Sequence, residues 1–166
     1  MTATLHIVFG PQGAGKSTYA TAFARREPAV HFSIDEWMAR LFAADMPDPL
    51  EFEWMMDRVE RCETQIWSLA AAVIATGSSV ILDLGLMRRS DRARVAEIAQ
   101  ACELPIQFHF ITAPQALRRE RVMARNQVRG ETFELVVTPQ MFDFMEGVYE
   151  APDPTELAGA LISESA

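Results

Sequence analysis

Lysine is almost missing: the 166-residue chain has one, Lys16, among 15 basic side chains. Cysteine is nearly as scarce. Cys62 and Cys102 are the whole complement, which fits reduced thiols better than a disulfide framework and points to a cytoplasmic setting. Three histidines, His6, His31 and His109, are scattered along the chain, a spacing that argues against a zinc cluster. No apolar run approaches the ~20 residues of a membrane span. The start, MTATLHIVFG, has no basic n-region and no cleavage site, so no leader is expected. From Glu131 to the end there are eight acidic side chains and no basic one.

What is present is a foldable apolar chain. Hydrophobic residues make up 49% of it, which excludes intrinsic disorder. The length suits a single domain, residues 1–166. The net charge is −8, whereas a protein that grips a nucleic-acid backbone usually shows a basic face. Nine arginines nevertheless crowd into Arg88–Arg94 and Arg118–Arg129. An acidic molecule with local basic clusters favours a small anionic ligand over a long polyanion. No partner is expected at a membrane, and oligomeric state is not legible.

Strands are expected at 5–9 (LHIVF), 30–34, 80–84 (VILDL), 106–111 and, weakly, 158–163, because these runs are apolar, branched or aromatic, and short. The spacing predicts helices over 17–26, 35–44, 50–76, from an N-cap at Ser90 to about 102, over 116–125, and from Pro139 to about 149. Within 50–76, Met55, Val59, Cys62, Ile66, Leu69 and Val73 share one face. Strands alternate with helices and are not polar on alternate positions. That pattern means a parallel sheet covered on both faces.

Gly10-Pro11-Gln12-Gly13-Ala14-Gly15-Lys16-Ser17 fits G-x-x-x-x-G-K-[ST] in full and lies between the first strand and a helix. The glycines let the backbone wrap so that its N–H groups face phosphate oxygens. The helix adds its positive end. Lys16 is placed to reach the β- and γ-phosphates, and the Ser17 hydroxyl to bind magnesium. Arginine supplies every other positive charge, so lysine here answers a chemical need for a compact charge on a flexible stem. Further along, Asp35 follows the second strand, Asp83 ends the third after Val80-Ile81-Leu82, and Arg125-Asn126-Gln127-Val128-Arg129-Gly130 follows the fifth helix.

With these elements the chain resembles the small P-loop kinases, AAA-type ATP-binding members of the P-loop NTPase superfamily. It is most similar to the group holding polynucleotide 5′-hydroxyl kinase domains, zeta-type toxins, chloramphenicol phosphotransferase and gluconate kinase. The resemblance implies a three-layer α/β fold with a parallel five-stranded sheet of order 2-3-1-4-5. It implies ATP and Mg²⁺ as cofactors, residues 10–18 (Thr18 included) around the phosphates, and transfer of the γ-phosphoryl group to a hydroxyl. Asp35 matches the family's general base, the alternative being a helix cap. Asp83 matches an acid that holds a magnesium water or touches the acceptor, the alternative being a turn-bonding Asp. Arg125 and Arg129 match the lid arginines, at the nucleotide and on the transferring phosphates respectively. Arg121 lies one turn before Arg125, and the lid spans about 121–137. Arg118 and Arg119 read as surface charges.

The acceptor is expected between strands two and three and in the turn after strand three. Arg40 and Arg88 are candidates to bind it, Arg88 being equally readable as a basic helix flank. Trp37, Met38, Leu41, Trp54, Met55 and Met56 read as core or as an apolar pocket. Polynucleotide kinases usually carry an arginine three residues after the acid. Here that position is Met38, so a small hydroxyl compound is favoured over a 5′-hydroxyl nucleic acid. A nucleotide-dependent switch ATPase is the reading from outside the kinases. By resemblance, Tyr149 to Pro154 is expected near the nucleotide base.

Overall fold

A computed structural model describes residues 3–127 and 136–165. Five parallel strands form the centre: β1 (Leu5–Phe9), β2 (Ala29–Ser33), β3 (Ser79–Asp83), β4 (Ile106–Thr112) and β5 (Leu161–Glu164). Their order is β2-β3-β1-β4-β5, as the resemblance implied. The helices are α1 (Lys16–Arg26), α2 (Ile34–Phe42), α3 (Phe52–Ala75), α4 (Arg89–Ala101), α5 (Gln115–Gln127), α6 (Pro139–Val148) and α7 (Pro154–Leu157). Among the described residues none of them is long and apolar enough to cross a membrane.

Pleating sends alternate strand residues to opposite faces. Leu5, Ile7 and Phe9 of β1, with Val80 and Leu82 of β3, pack on Cys62, Ile66 and Ala70 of α3 and on Val95 and Ala99 of α4. Val8 and Ile81 point the other way, onto Ala20 and Phe23 of α1. The predicted face of α3 therefore divides. Cys62 and Ile66 are core and Val73 packs against it, while Val59, which also touches the core, lines a pocket together with Met55.

Three boundaries differ from the sequence expectation for local reasons. Ser33, not Asp35, caps α2: its hydroxyl accepts from the Glu36 amide at 3.3 Å. Helix α4 is capped at Arg88 rather than Ser90, with the Asp91 carboxylate accepting from the Arg88 amide at 3.0 Å. Helix α7, only 4 residues long, adds a turn where the apolar spacing predicts no helix. A signal for it exists in Asp153-Pro154-Thr155-Glu156, a capping box with proline at the first helical position.

Two arginines tie neighbouring segments to helices α4 and α5. Arg92 is buried. It donates to both Glu156 oxygens (2.7 and 3.3 Å) and to the Glu150 carbonyl (3.0 Å), tying the C-terminal segment to the start of α4. Arg118 is buried as well, a correction to its reading as a surface charge. It donates to the carbonyls of Gln12 and Ala113, both at 3.0 Å, and grips the Glu146 carboxylate at 2.5 and 2.7 Å. Arg119 does lie at the surface, paired with Asp143.

Beneath α1, His109 is fully buried. One ring nitrogen meets His6 at 3.0 Å and the other meets the Tyr19 hydroxyl at 2.8 Å. Burial, with the neighbouring His6 and Arg26 charges, lowers its pKa to about 4. A histidine whose folded pKa lies below its unfolded value binds fewer protons when folded. Its stabilising contribution is whole above about pH 6.5 and is lost as pH falls toward 4. His6 shifts the same way, while buried Asp83, shifted upward, opposes both. Denaturant melts at pH 7 and pH 5 are expected to show a loss approaching 2 kcal/mol from His109 alone, at roughly 1.4 kcal/mol per pH unit. His109→Gln should flatten that slope whatever its absolute stability. Parallel slopes in the two proteins would contradict the assignment.

Candidate active site

The loop between β1 and α1 is shaped by positive φ at Gly10 (147°), Gly13 (77°) and Gly15 (94°). Gly10 has no alternative, since a Cβ there would sit 1.9 Å from the Ile111 carbonyl oxygen. Gly13 passes close to Arg118 and Val122 of α5, whereas a Cβ at Gly15 would meet none of the described residues within 4 Å. One side of the loop is thus packed and the other is open. The first hydrogen bond inside α1 runs from the Tyr19 amide to the Gly15 carbonyl (2.9 Å), and among the described residues no side chain caps the helix. The amides of Lys16, Ser17 and Thr18 ahead of that bond are the open donors of a helix N-terminus, suited to an anion.

A cleft of about 230 Å³ opens on this side, lined by Gln12, Gly13, Gly15, Lys16, Ser17, Thr18, Asp35, Arg121, Val122 and Arg125. The structure thus brings the predicted phosphate loop, the predicted base and two predicted lid arginines together. Gly10, Pro11 and Ala14 form the back of the loop and do not line the cleft; the Pro11 carbonyl accepts from Lys16 Nζ at 3.1 Å. Ser17 Oγ donates to Asp83 Oδ2 at 2.7 Å, joining the two predicted magnesium residues. Burial pushes the Asp83 carboxyl up, against the pull of the Lys16 charge and the Ser17 hydrogen bond. Asp35 is exposed on the first turn of α2. Arg121 donates to Ser165 Oγ at 2.8 Å. Two buried polar atoms here, Gln12 Oε1 and Arg125 Nε, have no partner among the described residues, although buried polar groups are almost always paired.

A second cavity, of about 220 Å³, adjoins the first. Gln12, Asp35 and Arg125 line both. Its other walls come from α2, α3, α6 and the loops beside them. Of the six residues read as pocket or core, Met38, Trp54 and Met55 line this cavity. Trp37 packs against Phe32 in the core, and Leu41 and Met56 are exposed.

Arg40 and Arg88 are not brought to the site. Arg40 points to solvent and pairs with Glu36 at 2.8 Å. Arg88 is exposed at the cap of α4, and neither lines either cavity. Arg129 lies outside the described residues. Tyr149 to Pro154, expected near the nucleotide base, packs along Met87, Arg89 and Arg92, and none of these six residues lines the phosphate cleft. The residues missed from sequence are Arg118, which anchors the loop at Gln12, and the α6 methionines Met141 and Met145, which complete the second cavity. Only the helical spacing of those methionines hinted at them.

Solved structures with the same fold include a candidate kinase of Chloroflexus aurantiacus (TM-score 0.77, 18% identity, covering 99% of this chain and 89% of that one). A sugar kinase of Janibacter gives a TM-score of 0.62 at 17% identity, over 98% and 85%. A gluconokinase of Sinorhizobium meliloti gives 0.55 at 18% identity, over 98% and 82%. No curated protein matches significantly. The family model described as an AAA domain matches residues 5–152, so the loop, the sheet order and this match agree that the chain belongs to the AAA domain family, within the P-loop NTPases.

Proposed function

We propose that the protein is an ATP-dependent kinase that transfers the γ-phosphoryl group to a hydroxyl of a small molecule. One observation carries this. Asp35, a carboxylate, stands with Gln12 and Arg125 where a phosphate cleft and a second cavity meet. A nucleotide switch needs the first cavity only. A kinase needs both, with a proton acceptor at their junction.

The groups present suit nucleotide and metal. Loop glycines leave the ligand side open, and orphaned Gln12 Oε1 and Arg125 Nε await partners. The Ser17–Asp83 pair offers the hard oxygen donors magnesium prefers, few in number because phosphate and water supply the others. Magnesium, when bound, screens charge on the phosphate oxygens. Lys16 leaves the Pro11 carbonyl to meet the β- and γ-phosphates. Asp35 takes the proton of the acceptor hydroxyl as its oxygen bonds to the γ-phosphorus and the bond to the bridging oxygen breaks, releasing ADP. Arg125 neutralises charge between the two cavities, and Arg121 sits beside the nucleotide. Arg129 is assigned to the transferring phosphates by resemblance.

The test is magnesium-dependent ADP release from ATP across a panel of hydroxyl compounds. Stimulation by one compound class, with a phosphate ester formed in equal amount, is expected. Steady hydrolysis that no hydroxyl compound alters, with tight nucleotide binding, would favour the switch.

A further inference from the structure

We infer that the second cavity takes an uncharged, largely apolar alcohol, an aryl or alkyl body ending in one hydroxyl, rather than a sugar, a sugar acid or a nucleic-acid end. The inference rests on the transfer reading and specifies its acceptor. Among the described residues thirteen line the cavity, and the three of these that are charged or carry an amide, Gln12, Asp35 and Arg125, are shared with the phosphate cleft. The ten that belong to it alone are aliphatic, methionine or tryptophan. Beyond the reacting end, a sugar would bury several hydroxyls against these described walls, whose own residues offer almost nothing to pair them, and each unpaired buried hydroxyl costs affinity. An anion fares no better. Among the described residues Arg125 is the sole cation in the walls, Asp35 opposes it, and Arg40 is turned outward onto Glu36.

The walls that are present suit an apolar ring. Five of the chain's nine methionines line the cavity: Met38, Met46, Met55, Met141 and Met145. Thioethers adapt their shape and make favourable contacts with aromatic edges. Trp54 supplies a rigid wall. The Arg58 guanidinium lies 3.9 Å from its ring centroid, and Phe42 meets it edge-on at 6.4 Å.

Size limits the occupant further. At about 220 Å³ the cavity falls below the roughly 300–1,000 Å³ of drug-sized sites, so it encloses one end of the acceptor. Its mouth continues as apolar surface. Leu50 and Met141 line it while 37% and 41% exposed, and Phe144, one turn on from Met141, is 66% exposed. The hydroxyl end enters toward Asp35, and the rest of the body lies across this rim.

The probes are 3-phenyl-1-propanol, glucose, gluconate and a 5′-hydroxyl oligonucleotide. Each is assayed for magnesium-dependent ADP release and, separately, for quenching of tryptophan fluorescence. The expected result is quenching and stimulation by 3-phenyl-1-propanol alone. Met55→Glu should weaken its binding at least tenfold, and Met55→Leu should restore it. ATP affinity, measured on both variants, reports whether the fold survives. Stimulation by glucose, gluconate or the oligonucleotide without 3-phenyl-1-propanol would overturn the inference and leave the kinase standing. Failure of 3-phenyl-1-propanol to bind would also overturn it. Binding that Met55→Glu abolishes, with no phosphate ester formed, would support the apolar occupant and overturn transfer instead.

Discussion

Lys16→Ala is expected to remove measurable phosphoryl transfer, a loss of at least about 10²–10³-fold, as when a single preorganised donor is taken from a site of developing charge. Its ammonium now rests on the Pro11 carbonyl at 3.1 Å, within the loop itself, so the stem reaches the phosphates by rotating rather than by moving backbone. Stability should hardly change. The substitution removes one partly exposed hydrogen bond, worth about 1 kcal/mol, or about 2–4 °C in melting temperature for a chain of this length. Lys16→Arg should not rescue activity, because a planar fork cannot follow a compact ammonium into a narrow cradle. Turnover assays beside thermal melts check both. Full activity in Lys16→Ala would remove the basis of the kinase proposal. A melting temperature lowered by 10 °C or more would show that the residue acts on the fold instead.

The legible parts of this molecule are those whose chemistry is local. Eight consecutive residues, Gly10 to Ser17, specify the loop, and the apolar runs at β1 and β3 specify its place. The order of the strands is not written in spacing; it came from resemblance. Arg118 and Arg92 were opaque because their burial depends on Glu146 and Glu156, 28 and 64 positions away. Isolated from those partners, an arginine in a basic run looks solvated. The second cavity was half legible for a related reason. Periodicity places Met55 and Val59 on the same face of α3 as Ile66, but it does not say where that face leaves the sheet and meets a void. Arg40 failed differently. Its neighbour Glu36, four residues earlier, was close enough in sequence to claim it.

Asp35→Asn is expected to lower kcat by about 10²–10⁴-fold, the usual contribution of a positioned general base, with little change in ATP affinity or in acceptor KM. The amide keeps the shape and one acceptor oxygen, so binding survives. It does not take up a proton, so chemistry does not. The structure makes this substitution informative because the competing role is already filled. Ser33 caps α2 through the Glu36 amide, leaving Asp35 exposed at the mouth shared by both cavities. Loss of its charge from the first turn of α2 costs about 0.3–1 kcal/mol against the helix dipole, a small term that a melting curve separates from the kinetic effect. Three outcomes then sort the roles. A fall in kcat alone identifies the base. A rise in the ATP dissociation constant with kcat preserved assigns Asp35 to the nucleotide, through the magnesium shell or a ribose contact. A drop in stability with normal kinetics makes it a helix-end charge, and the proton acceptor must then be sought elsewhere around the junction of the two cavities.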